Sequence, residues 1–353
     1  MRAIAATAVG LLCGLMAVAQ DVLPRVESID VYGSSAFDSA KLRAEFEPEL
    51  LQYAALGMQA QMNPNADMQR LASEARAIEA RLRDAMSVAG PLADFEISMT
   101  TDFGPPQRTH VMVSVVEQAD AARRMPFREA PTAEIADPDG LLAVWSEYQE
   151  KAFALAFAGT SLRIDAGDCP VLHCIAPFDV PELAPYLARF NDGARRHEVV
   201  LYRIAADSGD AEQRANALFV LAHTNDAQRL LPVLTQAIYD PASGVRNNAM
   251  RVLTSLAQAQ PDLDFPVPDL IAAFDFPAAS DRNKAGSTLA ALAAQLRYRG
   301  AIRVGAVPIA LRVLRLAQPN NHDPAYQILT QVSGEKFGER DYAAWERWAA
   351  EAR

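Results

Sequence analysis

Three frames of the form Arg-x-x-Ala-x-x-x-Leu recur toward the C-terminus of this chain, at Arg214/Ala217/Leu221, Arg246/Ala249/Leu253 and Arg282/Ala285/Leu289. A fourth, His322/Ala325/Leu329, keeps the spacing with His in place of Arg. Successive frame alanines lie 32, 36 and 40 residues apart, the length of one helix pair with its turns. Helical spacing continues between the frames, through Leu230, Val233, Leu234 and Ile238 and again through Val307, Leu311 and Leu314. A single such pair carries more apolar surface than it can bury alone, so neighbouring pairs must stack into a solenoid. Arg214, Ala217, Arg246, Ala249, Arg282 and Ala285 are thereby read as framework residues of a repeat array over 207–353.

The run Asp240-Pro241-Ala242-Ser243-Gly244-Val245-Arg246-Asn247-Asn248-Ala249 carries an acid-Pro start, a Val-Arg pair and a small alanine in order. In these features the segment resembles HEAT repeats. The resemblance implies that the arginines belong to the framework, pairing with acids or carbonyls between repeats, and that the stack offers a surface for another protein. The stretch Arg297 to Gly305 departs from the pattern as an irregular basic junction. The array closes with a cap: Gly334, Phe337 and Gly338 break the helix, Asp341 can N-cap the next, and Tyr342, Trp345 and Trp348 fall on one face.

A different pattern occupies residues 24–118. Val26 to Val31 alternates and stops at Tyr32-Gly33, which predicts a strand and a turn. Asp38 is placed to N-cap a helix bearing Leu42, Phe46 and Leu50; a second helix spans about Asp67 to Ala89. Two alternating strands follow, through Phe95, Ile97 and Met99 and through Val111, Val113 and Val115, joined across Gly104-Pro105-Pro106. The order βααββ, with Val31-x-Gly33-x-x-x-Phe37 and the closing Val113-x-Val115-x-Glu117, resembles a POTRA domain. That resemblance implies a three-stranded sheet with an open edge for a partner strand. Glu49 to Ala66 is longer than the usual connection between the two helices.

Residues 119–139, with Pro126, Pro131 and Pro138 and no sustained period, read as a linker, and 140–206 as a helical connecting segment. In the latter, Leu141, Val144, Tyr148 and Leu155 with Trp145 and Phe153 predict a helix buried on more than one side. The fold class is therefore mostly α, a solenoid preceded by a small α+β domain.

Residues 1–19 read as a signal peptide. Arg2 is the only charge before Asp21, Ile4 to Val18 is small and apolar, and Ala17-Val18-Ala19 precedes Gln20 as a small-x-small cleavage site. Its loss would carry off Cys13 and Arg2, taking the net charge from −11 to −12. Two cysteines then remain, Cys169 and Cys174, and a lone pair exported to an oxidising compartment reads as a disulfide. The expected location is the periplasm, with protein partners in the cell envelope.

Acidic residues outnumber basic ones 44 to 33, which disfavours nucleic acid as a partner, and no direct membrane insertion is expected once the signal is gone. No nucleophile elbow, phosphate loop or dinucleotide fingerprint occurs, and no catalytic residue, metal site or cofactor is assigned. Asp137-Pro138-Asp139-Gly140 fails the spacing of a calcium loop. In His197-Glu198-Val199-Val200-Leu201 a leucine takes the place of the second zinc ligand. A non-enzymatic interaction scaffold is the leading expectation. The alternative, an envelope enzyme or enzyme subunit, would need His173, Cys174, Asp179 or His197 to converge between Cys169 and His197.

Overall fold

The computed structural model describes residues 25–63, 65–102, 108–164 and 167–351, so the expected signal peptide, Cys13 and the expected turn at Gly104-Pro105-Pro106 lie outside the described residues. Strands β1 (Val26–Tyr32), β2 (Leu92–Asp102) and β3 (Arg108–Glu117) form one sheet in the order β1-β3-β2, with β1 parallel and β2 antiparallel to the central β3. Gly33 ends β1 at φ +88°, where a Cβ would stand 2.2 Å from the Val115 carbonyl oxygen, so only glycine fits that turn. Helices α1 (Ser39–Met62) and α2 (Met68–Ser87) cover one face of the sheet, packing Leu42, Leu50, Leu71, Ile78 and Leu82 on Ile29, Ile97, Val111, Val113 and Val115. Asp38 and Asp67 cap them through the amides of Lys41 and Arg70. The expected long connection after Glu49 is instead the second half of α1, which runs through Pro48 because Leu50 and Ala54 remain buried beyond it.

The remaining described elements are helices joined by loops: α3 (Ala121–Arg124), α4 (Leu141–Phe157), α5 (Ala184–Arg196), α6 (Glu198–Asp207), α7 (Ala211–Leu221), α8 (Ala227–Ala237), α9 (Ser243–Ala259), α10 (Val267–Ala273), α11 (Ala279–Ala293), α12 (Leu296–Gly305), α13 (Val307–Val313), α14 (Pro319–Ser333) and α15 (Tyr342–Glu351). Helices α7, α9, α11 and α14 lie side by side in that order, backed by α6, α8, α10 and α13. Each helix of the first row carries its frame Arg or His at its fourth position. Frame alanines Ala217, Ala249, Ala285 and Ala325 and leucines Leu221, Leu253, Leu289 and Leu329 are all fully buried. Small alanines at the crossings let the helices approach, and the leucines fill the space behind them.

Three further sequence expectations are corrected. Residues 119–139 are not a free linker: Arg128 donates its amide to the Tyr239 carbonyl at 2.9 Å and its guanidinium to Asp240, while Ala133 pairs with Ser208 in a β-bridge. The segment is a strap bonded along the stack. The basic junction after Arg297 is a regular helix, α12, held where Tyr298 and Ile302 bury. In α4, Trp145 and Tyr148 form an aromatic core with Phe190 and Phe219, but Phe153 is 68% exposed, so the helix is buried on one side only.

At the C-terminal end Asp341 caps α15 through the Ala344 amide, and Trp345 is completely buried, its indole N–H donating to the Gly338 carbonyl at 3.1 Å. Phe337 and Tyr326 meet it edge-on. These rings close the apolar end of the stack. No helix among the described residues is long and apolar enough to cross a membrane.

Candidate functional site

The frame arginines form a ladder. Arg214 holds Asp240 with two hydrogen bonds, of 2.8 and 2.7 Å, and donates to the Ser208 carbonyl at 2.7 Å. Arg246 donates to Asp281 and to the carbonyls of Asp240 and Pro241. Arg282 donates to Asn321 and to the carbonyls of Phe276 and Pro277. His322 lies within hydrogen-bond distance of the Leu316 carbonyl, so each member reaches the carbonyl six residues before it. Arg214, Arg246 and Arg282 each join one repeat to the next in this way, whereas His322 is bonded within the turn that precedes its own helix.

The acids of the ladder differ in one respect. Burial opposes ionisation of Asp240, yet hydrogen bonds from Arg214, Arg128 and the Ala242 amide outweigh it and hold its carboxyl below the ordinary aspartate value. Asp281 receives Arg246 on Oδ2 alone, Oδ1 has no hydrogen-bond partner, and burial pushes its carboxyl up.

The face of the sheet opposite α1 and α2 rests on this ladder. Asp30 accepts from the amides of Ala317 and Gln318 at the start of α14, and Gln318 donates to Thr100. Tyr32 donates to Asp275, which also receives Arg123 and Arg312. Ser28 lies between Asp30 and His110, at 3.1 and 2.9 Å. Ser28 donates its hydroxyl to Asp30 and lies beside His110 Nδ1, so this set ties β1 to β3 and, through Asp30, to the start of α14.

The second polar centre lies at the cysteine pair. Cys169 and Cys174 are joined in a disulfide with Cα atoms 5.8 Å apart. The loop they close is tied to the end of α7 by the Leu172 amide on the Ala222 carbonyl. His173 then stacks on Phe219, ring centroids 5.1 Å apart, and its Nδ1 lies 2.8 Å from Ser255 Oγ on α9. Burial first, and then the charges of Arg251 and Lys284, lower the His173 pKa to about 3, so the ring is neutral at ordinary pH. Loop, α9 and α11 together wall a cleft of about 410 Å³ lined by His173, Cys174, Arg251, Ser255, Gln258 and Lys284 among others.

Of the residues that an enzyme at this position would need, His173 and Cys174 line the cleft, and Asp179 and His197 do not. His197 pairs instead with Asp139 at 2.8 Å. Asp137 caps α4 through the amides of Leu142 and Ala143. No cluster of metal-ligating side chains occurs among the described residues. Sequence reasoning missed Arg251 and Lys284. Arg251 has no acid three or four positions away on its helix, which marks a cation without a local partner; Lys284 has Asp281 one turn before it, but that acid is turned to Arg246.

No protein-family model matches the chain, and no curated protein matches it significantly in sequence.

Proposed function

We propose that the protein is an exported, non-enzymatic interaction scaffold, in which a HEAT-like stack binds a protein partner of the cell envelope and a POTRA-like module orients it. The carrying observation is the division of labour in the α7, α9, α11, α14 row. Its buried side is used up by the arginine ladder, while its cleft side presents Arg251, Gln258 and Lys284 with no partner among the described residues. Side chains held on a rigid helical row and left unpaired are available to another molecule, and stacked repeats use such surfaces for protein recognition. Export to the periplasm is supported by the Ala17-Val18-Ala19 signature and by the disulfide.

A photo-crosslinking residue at Gln258 of the full-length exported chain tests the reading, with Val304, exposed but outside the cleft, as its control position. A discrete cross-linked envelope protein at Gln258 and not at Val304 is expected. Absence of any adduct at Gln258, with cross-linking active in a control, overturns the scaffold. N-terminal sequencing of the mature protein should begin Gln20-Asp21-Val22.

A further inference from the structure

The cleft beside the disulfide loop holds two cations and no carboxylate. Neither Arg251 nor Lys284 has a hydrogen-bond or ion-pair partner among the described residues, although the chain as a whole carries net −11. Their charges are felt within the cleft: burial, and then Arg251, bring the Lys284 ammonium down to about 8, and partial desolvation lowers the guanidinium of Arg251, whose side chain stays open to solvent. Two like charges drawn together in a partly desolvated space repel, and an anion between them reverses the sign of that interaction.

His173 adds a third element without adding charge. Its Nε2 is buried with no hydrogen-bond partner among the described residues. A buried N–H without an acceptor is the costlier way to leave that atom, so the ring proton belongs on Nδ1, donated to Ser255 Oγ at 2.8 Å. Ser255 then accepts from the imidazole and keeps its own hydroxyl hydrogen to donate into the cleft. Thr254 and Ser287 offer no such donor, being bonded to the carbonyls of Met250 and Asn283.

We propose that this cleft is a binding site for an oxyanion carrying two negative charges, gripped by the Arg251 guanidinium, the Lys284 ammonium and the Ser255 hydroxyl. A phosphoryl group and a short dicarboxylate share that chemistry. Two cations match a dianion, and the guanidinium offers paired N–H donors to two oxygens of either group. The site goes beyond the scaffold reading and stands whether or not a protein binds the stack.

Calorimetric titration of the full mature protein at low ionic strength with inorganic phosphate, sulfate, succinate and acetate tests it. Phosphate or succinate should bind at least about tenfold more tightly than acetate, and Arg251→Gln and Lys284→Gln should each weaken the dianion by about tenfold or more. Arg340→Gln, outside this cleft, should leave it unchanged. Preference for phosphate over succinate would identify a phosphoryl ligand, and the reverse a dicarboxylate. A second measurement needs no variant: Lys284 should acylate readily near its pKa of about 8, and phosphate or succinate should protect it at least about threefold. No saturable binding of any dianion below about 10 mM, or binding that survives loss of both cations, overturns the proposal.

Discussion

The guanidinium of Arg282 lies 4.3 Å from the centroid of the Tyr32 ring and donates through Nη2 to Ser114 Oγ at 3.1 Å. Arg282 therefore belongs to two structures at once: it joins the third repeat to the fourth, and it seats the N-terminal sheet on the stack. Where Arg214 and Arg246 meet aspartates, Arg282 meets the neutral Asn321, and burial lowers its pKa to about 10. The sheet supplies with an aromatic face and a hydroxyl part of what the missing carboxylate would have given.

Replacing Arg282 with Met should leave the carbonyls of Phe276 and Pro277 and the Asn321 side chain without their donor. Loss of roughly 3 kcal/mol is expected in urea unfolding, the scale for removing one member of a buried polar set. Hydrogen exchange should also rise in β1 and β3. Arg214→Met should cost a similar amount with no change in exchange at the sheet, since Arg214 touches only the stack and its loops.

The two ladder acids should respond differently to amidation. Asp240→Asn exchanges a carboxylate with both oxygens bonded to arginine for an amide that must turn an N–H₂ toward a cation, and roughly 3 kcal/mol should be lost. Asp281→Asn keeps one acceptor for Arg246 and removes a carboxylate that burial already disfavours, at the expense of a buried amino group without an acceptor, so a smaller loss of about 1 to 2 kcal/mol is expected. The pH dependence divides the same way. Asp240 has a folded pKa below 3.8, so its contribution is present above that value and is lost as pH falls through the folded one. Asp281 has a raised pKa and favours the folded state most when protonated, so its contribution weakens as pH rises above 3.8. Acid titration of the Asp240→Asn variant should be flatter than that of the unaltered protein in the lower range.

The ladder is legible in the sequence because it is local and repeated: arginine at the fourth position of three helices and histidine at that of a fourth, each followed by the same alanine and leucine. The mostly α architecture and the capping of α1 and α15 by Asp38 and Asp341 are readable from local spacing in the same way. The strap is not, because its bonds reach across the chain from Arg128 to Asp240 and from Ala133 to Ser208, and prolines without period look alike whether bonded or free. Seating of the sheet leaves a fainter trace. Val111, Val113 and Val115 announce one buried face, but Met112 and Val116, which point to the other face, are equally buried, as expected for a strand covered on both sides. The cleft is the least legible part, since Arg251, Lys284 and Ser255 come from two helices and only the fold makes them neighbours.

Opening the disulfide should loosen the loop that carries His173. A bridge closing so short a loop contributes about 2 kcal/mol on the chain-entropy model, and Cys169→Ser with Cys174→Ser should lower stability by that order. The variant should unfold at lower urea with an unchanged slope. Mass analysis of the mature protein under alkylating, non-reducing conditions should show neither cysteine modified.

His173 and His223 make the strongest pH prediction. Burial lowers His173 to about 3, assisted by Arg251, Lys284 and His223, and burial lowers His223 to about 3 as well. Nδ1 of His223 lies 2.9 Å from Asn191 Oδ1, and its ring meets Trp145 and Phe178 edge-on, so a charged imidazolium there would have an apolar shell and no carboxylate. In the unfolded chain both rings take up protons near the ordinary value of 6.5, whereas in the folded chain they do not until pH is close to 3. Their contribution to stability is thus complete above 6.5 and is lost as pH falls below it, with a slope of roughly 1.4 kcal/mol per pH unit for each ring. Unfolding free energies measured in urea between about pH 7 and pH 5 should fall along that slope. His223→Gln should remove about half of it, at some cost in packing against Trp145. Half that slope in the unaltered protein would mean that one of these rings accepts its proton in the folded state, and a level stability that both do, which the surroundings of Phe219, Trp145 and the two cleft cations oppose.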